Sequence, residues 1–379
     1  MRTTPRILAA RFGLLLGGCV LALGLGEVTA RLVPLPDSAP LTLGISSADV
    51  PGLFSWDRNY GVIATPGFEG QVAHPMGTIP VRINSLGLRG PECDPQAAER
   101  RWLMLGDSFV MGLQVTEEQT ISAAVSRALD QPVLNGGMTG FDTLDALARH
   151  SLLSTKLEVY GTILVFYTGN DIGDNARAEP RTLPSPPPDY QLRPVKIPAA
   201  KALLASFTQR SMLLGQLRLL LQRIGPSSLD PAGWEDMTAS LVLFTEQGGP
   251  QLAQAMGPTR AALTKLRERS EAAGQPLLVA VAPPIYAVDA SRFQATLRQF
   301  GMGDLSPSLE APQLAVLQFL AEEGIEACDL TPGLRSSQRR GEEPYLFFDG
   351  HWSPAGHAAA AAQLVDCLAS FDEASPASP

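Results

Sequence analysis

Three short apolar runs, Trp102-Leu103-Met104-Leu105, Pro132-Val133-Leu134-Asn135 and Thr162-Ile163-Leu164-Val165-Phe166-Tyr167, each lead directly into a glycine-bearing polar loop. Uncharged runs without alternation read as strands buried on both faces. Between them the spacing turns helical. Thr116 and Gln119 form a capping-box pair ahead of a helix to Leu129, and Leu144, Leu147, Ala148 and Ser151 share one face of a helix starting near Asp142. Strand, loop, helix, strand is the βαβ unit, and such units in series build a parallel sheet whose carboxyl-end loops gather on one edge. The alternation resumes with a helix through Leu263, Leu266 and Arg269, a buried strand over 277–281, a helix over 314–323 and a fifth strand near 325–330. An alanine-rich helix to about Leu368 closes the series. The expected class is therefore α/β, with about five parallel strands between residues 99 and 369.

Other segments depart from this rhythm. Residues 34–98, rich in Pro and Gly with scattered aromatics, read as a lead-in with little helix and a few strands, 79–83 among them. Residues 178–257 interrupt the series as an insertion, opening on a proline-rich stretch and containing a leucine-rich helix over 199–224. The Ser/Pro tail, 370–379, reads as disordered.

The first 33 residues have their own character. Arg2, Arg6 and Arg11 precede an unbroken non-polar stretch from Phe12 to Gly26, which Glu27 closes. A basic flank followed by an apolar segment is an export signal, and the basic side stays in the cytoplasm. The segment lengthens toward a full span if Arg11 snorkels. Val28-Thr29-Ala30 makes a poor cleavage site, and the apolar run continues well past Cys19 of a lipobox-like Leu16-Gly17-Gly18-Cys19. An uncleaved signal anchor with its body outside the cytoplasm is the preferred reading, and secretion after cleavage the alternative.

A net charge of −9 with no basic patch argues against a nucleic-acid partner. Four cysteines without a C-x-x-C pair, and four histidines without ligand spacing, support no metal site. In an oxidising compartment Cys328–Cys367 is the expected disulfide; ordinary buried thiols are the other reading. His74 and His150 read as structural or solvent-exposed.

Chemistry concentrates in four loops: Gly106-Asp107-Ser108, Asn135 to Gly140, Gly169-Asn170-Asp171 and Asp349-Gly350-His351. A serine hydroxyl needs a base to become a nucleophile, and the base needs a third group to fix its tautomer. His351 can be that base and Asp349 its orienting acid. A tetrahedral intermediate also needs donors for its oxyanion, and the Ser108 and Gly140 backbone N–H groups with the Asn170 amide make three. Taken singly the motifs have plainer readings: Asp107-Ser108 caps a helix, Gly-Asn-Asp turns the chain, and Asp-Gly-His caps a helix or binds a metal. Asp107 and Asp171 read as loop braces. The order of the four, each at a strand end, favours catalysis.

In that order the motifs resemble those of the SGNH hydrolases, also called GDSL esterases and lipases. The resemblance covers about Arg100 to Ala369, and Asn84 to Gly90 resembles the segment preceding this domain in exported bacterial members. It implies a three-layer α/β/α flavodoxin-like fold, Ser108 as nucleophile, Gly140 and Asn170 as oxyanion donors, and His351 with Asp349 completing the triad, without metal or cofactor. The family usually spaces acid and histidine as Asp-x-x-His. The shorter spacing here is similar to that of polysaccharide-acetylating and deacetylating relatives, and it leaves His357 as an alternative base. His351 is preferred because His351-Trp352-Ser353-Pro354-Ala355-Gly356 resembles the family's His-Pro-Asn-x-x-Gly tract. The expected function is a serine esterase whose partner is an ester substrate, an O-acylated glycan or a lipid or small ester. The alternatives are O-acyl transfer to a polysaccharide by the same residues, and a non-catalytic glycan-binding or assembly protein.

Overall fold

The computed structural model describes residues 5–32, 50–58, 60–74, 77–97, 100–178, 192–195, 211–214, 217, 231–346 and 350–374. The chain opens on α1, Pro5–Leu32, whose stretch Arg11–Leu32 has a mean hydropathy of 1.8 and is long and apolar enough to cross a membrane. Near its end Glu27 accepts hydrogen bonds from Ser211 Oγ and the Met212 and Leu213 backbone N–H groups, and Ala30 packs on Met212 beside Leu346.

The lead-in is more strand-rich than its composition suggests. β1, Phe54–Asp57, pairs antiparallel with β2, Gly61–Ala64, while β3, Glu69–His74, and β4, Gly77–Arg82, form a second hairpin. The buried side chains Leu53, Ile63, Val72 and Val81 of these hairpins share a small core with Met111, Met138 and Leu152 of the main body. The lead-in therefore packs against the loops that follow the first two strands of the main sheet.

That sheet begins with β5, Trp102–Leu105, which hands the chain to the one-turn helix α2, Ser108–Met111, and then to α3, Ile121–Leu129. After β6, Val133–Asn135, come α4, Thr143–Leu153, β7, Gly161–Tyr167, and α5, Asp171–Arg177. β8, Leu192–Pro194, returns to pair with β1. Helices α6, Pro231–Val242, and α7, Gly249–Ala272, lead to β9, Leu277–Ala282. The remainder is α8, Ile285–Val288, α9, Ala290–Gln299, α10, Ala311–Glu322, β10, Glu326–Asp329, α11, Thr331–Arg339, and α12, Pro354–Ala374. Most of the expected leucine-rich helix over 199–224 lies outside the described residues; the tail expected to be disordered from 370 instead continues α12 to Ala374, and only 375–379 lie outside the described residues. The later part of the expected insertion joins the main core through Leu241, Phe244, Leu252 and Met256.

The five main strands run β6-β5-β7-β9-β10, and every neighbouring pair is parallel. In order of appearance this is 2-1-3-4-5, the flavodoxin-like order, with its reversal between β5 and β7. α3 and α12 pack together on one face; α4, α5 and α10 pack with α7 on the other. Cover on both sides is why β5 and β9 bury every side chain and carry no charge. A disulfide joins Cys328 in β10 to Cys367 in α12, clamping the last strand to the last helix, while Cys93 is half-buried with Asn84 Nδ2 3.8 Å from its Sγ. His74 and His150 are both buried, at 3% and 2% exposure.

Candidate active site

In open parallel sheets ligands bind outside the carboxyl ends of the strands at the point where strand order reverses. Here that point lies between the loop after β5, which carries Ser108, and the loop after β7, which carries Asn170. Asp107 caps α2 by accepting from the Phe109 N–H at 2.9 Å, so the chain turns sharply and leaves Ser108 as the first helical residue.

Several bonds fix that helix. Asn135 at the end of β6 donates from Nδ2 to the Val110 carbonyl at 2.8 Å and accepts from the Gly137 N–H at 3.1 Å, and the Met138 N–H donates to the Gly106 carbonyl. Gly137 must be glycine, because a Cβ there would stand 2.5 Å from both the Met111 nitrogen and Val110 Cβ. At the other end of α2, Arg89 donates to the Met111, Gly112 and Val115 carbonyls. Burial holds the Arg89 guanidinium down at about 10, with Glu117 and Glu118 opposing the shift. Sequence reading passed over Arg89, since one arginine in a turn-rich tract carries no periodic signal.

From the far end of the chain comes His351. The Gly350 N–H donates to the Leu346 carbonyl at 2.7 Å, the Leu346 N–H donates back to the His351 carbonyl at 2.8 Å, and Tyr345 and Trp352 bridge below. This closed loop sets His351 Nε2 at 2.8 Å from Ser108 Oγ. The Phe109 ring lies 4.9 Å from the imidazole, stacked on Tyr167 at 4.0 Å and edge-on to Trp352 at 5.0 Å. The histidine is therefore positioned by an aromatic cluster as well as by its backbone. Asp349 lies outside the described residues.

His357 does not reach the serine. It sits in α12, fully buried, and its Nδ1 accepts from the Ile121 N–H at 3.2 Å. Burial, aided by Arg89 and His351, drives its pKa down to about 3, so it is neutral and structural. A histidine held neutral in the folded state and free to charge in the unfolded state stabilises the fold above about pH 6.5 and loses that contribution as pH falls. Between pH 7.5 and 5 the loss is about 2 kcal/mol, at about 1.4 kcal/mol per pH unit below 6.5. Burial raises the carboxyls of Asp107, Asp171 and Asp174, which act in the opposite direction, so the comparison must be with a variant. His357→Gln keeps an acceptor for Ile121. Urea titrations at the two pH values should show that it loses about 2 kcal/mol less than the parent on acidification; equal losses would show that His357 charges in the native state.

Gly140 lies in the turn Met138–Phe141, where the Phe141 N–H donates to the Met138 carbonyl. Its φ of 77° in the third position is what restricts the site to glycine, and a Cβ there would meet nothing within 4 Å. Asn170 directs its amide Nδ2 to Asp174 Oδ2 at 2.6 Å, and Arg177 pairs with Asp174 at 2.8 Å. Its Oδ1 is buried without a partner among the described residues. Asp171 accepts from the Tyr167 N–H at 2.9 Å and braces its loop, as Asp107 does. Burial pushes both carboxyls up; nearby Asp174 reinforces this at each, and His351 opposes it at Asp107. Among the described residues no group of His, Cys, Asp and Glu has the arrangement of a metal site.

The arrangement is a flavodoxin-like parallel sheet in 2-1-3-4-5 order, with a serine after its first strand and a histidine contacting it from beyond its last. Residues 242–377 match the family model described as SGNH hydrolase-like domain, acetyltransferase AlgX. Among solved structures, a catalytic mutant of an acetylxylan esterase from Geobacillus stearothermophilus is 13% identical, with a TM-score of 0.38 over 72% of this chain and 94% of that one. A member of the lipolytic G-D-S-L family from Veillonella parvula is 10% identical, with a TM-score of 0.34 over 70% of this chain and 97% of that one. Comparison with curated proteins found no match.

Proposed function

We propose that the protein is a serine esterase that cleaves an O-acyl ester outside the cytoplasm through an acyl-Ser108 intermediate. The observation that carries this reading is the 2.8 Å contact between Ser108 Oγ and His351 Nε2 at the reversal point of the sheet. His351 takes the hydroxyl proton as Ser108 Oγ attacks the ester carbonyl, and returns it to the departing alkoxide. The second half repeats the proton transfers with water, releasing the acid and freeing the serine. Asp349 is assigned the orienting role on the sequence resemblance. The Ser108 and Gly140 backbone N–H groups and the second amide hydrogen of Asn170, whose first is taken by Asp174, are assigned to the oxyanion.

A second reading has one observation in its favour, the acetyltransferase named in the family description matched by residues 242–377. The same acyl-enzyme would then pass its acyl group to a sugar hydroxyl instead of water. The apolar helix α1 fits a signal or an anchor, and its end packs beside Leu346, whose backbone closes the His351 loop. The site would then face the membrane surface. A radiolabelled acetyl ester offered with and without a polysaccharide acceptor separates the two reactions. Label released as acetate at the same rate in both favours hydrolysis; label appearing on the polysaccharide, with slow release in its absence, establishes transfer.

A further inference from the structure

A second opening lies on the same sheet edge, outside the carboxyl ends of β7, β9 and β10 and walled by α10 and α11. Its volume is about 320 Å³, within the range of small-molecule sites. Its floor is a hydrogen-bonded row. Thr168 Oγ1 is 3.3 Å from Gln313 Oε1, and Gln313 Nε2 donates to Asp329 Oδ1 at 2.8 Å. Thr168 and Gln313 are 1% and 6% exposed. At the end of the row Thr331 is 7% exposed, and its Oγ1 has no hydrogen-bond partner among the described residues. A buried hydroxyl left unsatisfied at the wall of a cleft is a place for a ligand's polar group.

The chemistry of the lining narrows that ligand. Arg335 pairs with Glu310 at 2.9 Å and donates to the Ala287 carbonyl at 2.8 Å, and the lining also holds Arg339 and Asp329. Two guanidiniums against two carboxylates leave no net field to select a polyanion or a polycation. The polar floor disfavours an acyl chain, because a buried hydrogen-bonded row facing hydrocarbon would strand Thr331. Leu314, 58% exposed, and Pro332 add apolar wall. Hydroxyl-matching groups below and apolar surface at the side suit a ring with equatorial hydroxyls and a C–H face.

We infer that this cleft holds a neutral sugar residue of the substrate, adjoining the unit whose ester reacts at Ser108. The inference rests on the acyl-serine reading and names its substrate class as an oligosaccharide. Thr168, which lines the cleft, lies two residues before Asn170 in the loop after β7. β5 and β9 are two strands apart, about 10 Å at the spacing of a sheet, which a short oligosaccharide spans.

The test uses the full chain in detergent, with 4-nitrophenyl acetate, which is too small to reach the cleft, and O-acetylated cellotetraose, mannotetraose and chitotetraose. Leu314→Trp fills the opening from an exposed position, and Thr331→Val removes the hydroxyl at nearly constant volume. For the preferred tetrasaccharide, KM should rise about tenfold in Leu314→Trp and about three- to tenfold in Thr331→Val, with kcat and the constants for 4-nitrophenyl acetate within about twofold. An unchanged KM, an equal loss on both substrates, or no preference for any tetrasaccharide over 4-nitrophenyl acetate overturns the inference. Saturation-transfer NMR with the unacetylated tetrasaccharides keeps the two readings separable. If the chain turns over no ester at all, binding that Leu314→Trp abolishes still establishes the sugar site, and absence of binding removes it.

Discussion

Ser108→Ala should abolish labelling by a fluorophosphonate probe and lower ester turnover by about 10⁴–10⁶-fold. The hydroxyl 2.8 Å from His351 Nε2 is the atom that becomes acylated, so its removal deletes the covalent step itself. The change should leave the fold intact. Ser108 is half-buried at the head of α2, and that helix is held by the Asp107 cap, the Asn135 side chain and Arg89, none of which uses the serine hydroxyl. Intact-protein mass spectrometry reads the adduct, 4-nitrophenyl acetate the turnover, and a melting curve the fold. A well-folded parent that neither labels nor turns over would exclude the acyl-serine mechanism and bring forward the binding or assembly reading.

Asn170→Ala should cost about 10²–10³ in kcat, with KM changed only a few-fold. The amide is one of three donors assigned to the oxyanion, and that charge exists only after the serine has attacked. A donor aimed at it therefore lowers the barrier without tightening the ground state. Asn170 also donates to Asp174, so a structural role must be told apart from a catalytic one. A brace would lower the melting temperature and affect kcat and KM together. An oxyanion donor lowers kcat alone, and the loss should shrink for esters whose leaving groups make the intermediate less anionic at its carbonyl oxygen. A kcat within a few-fold of the parent would take Asn170 out of the site.

How much of this was readable in advance differs from element to element. The main strands were legible because β5, β7 and β9 are buried on both faces, and burial on both faces leaves an uncharged run that local pattern reports. The start of α4 was placed to within a residue from the face of Leu144, Leu147, Ala148 and Ser151, and Asp142 caps it by accepting from the Asp145 N–H. The short helices α5, α8 and α9 and α11 were not legible. α8 spans a single turn, too short for a periodic stripe, and α11 is mostly polar, packing on neighbours that only the fold supplies. Of the two lead-in hairpins only the strand over 79–83, which overlaps β4, was anticipated; the pairing was not, because the hairpins bury against Met111 and Met138, which lie far along the chain.

For the candidate site the division is sharper. Residue type and order alone singled out Ser108, Gly140, Asn170 and the Asp349/His351 pair, because strand ends in a parallel sheet share an edge whatever the helices between them do. The tract after His351 already preferred it over His357, but the physical reason for that choice came only from tertiary structure. They lie six residues apart, and the difference is that a closed loop carries one to Ser108 across 243 residues, while the helix carries the other under α3 to bond Ile121. So did Arg89, Asp174 and the polar floor beneath the second cleft. Sequence fixes which groups a strand end presents, since that depends on backbone periodicity nearby. Which of them meet, and which buried polar atoms are left without partners, depends on the packing of segments hundreds of residues apart, and no local pattern encodes that.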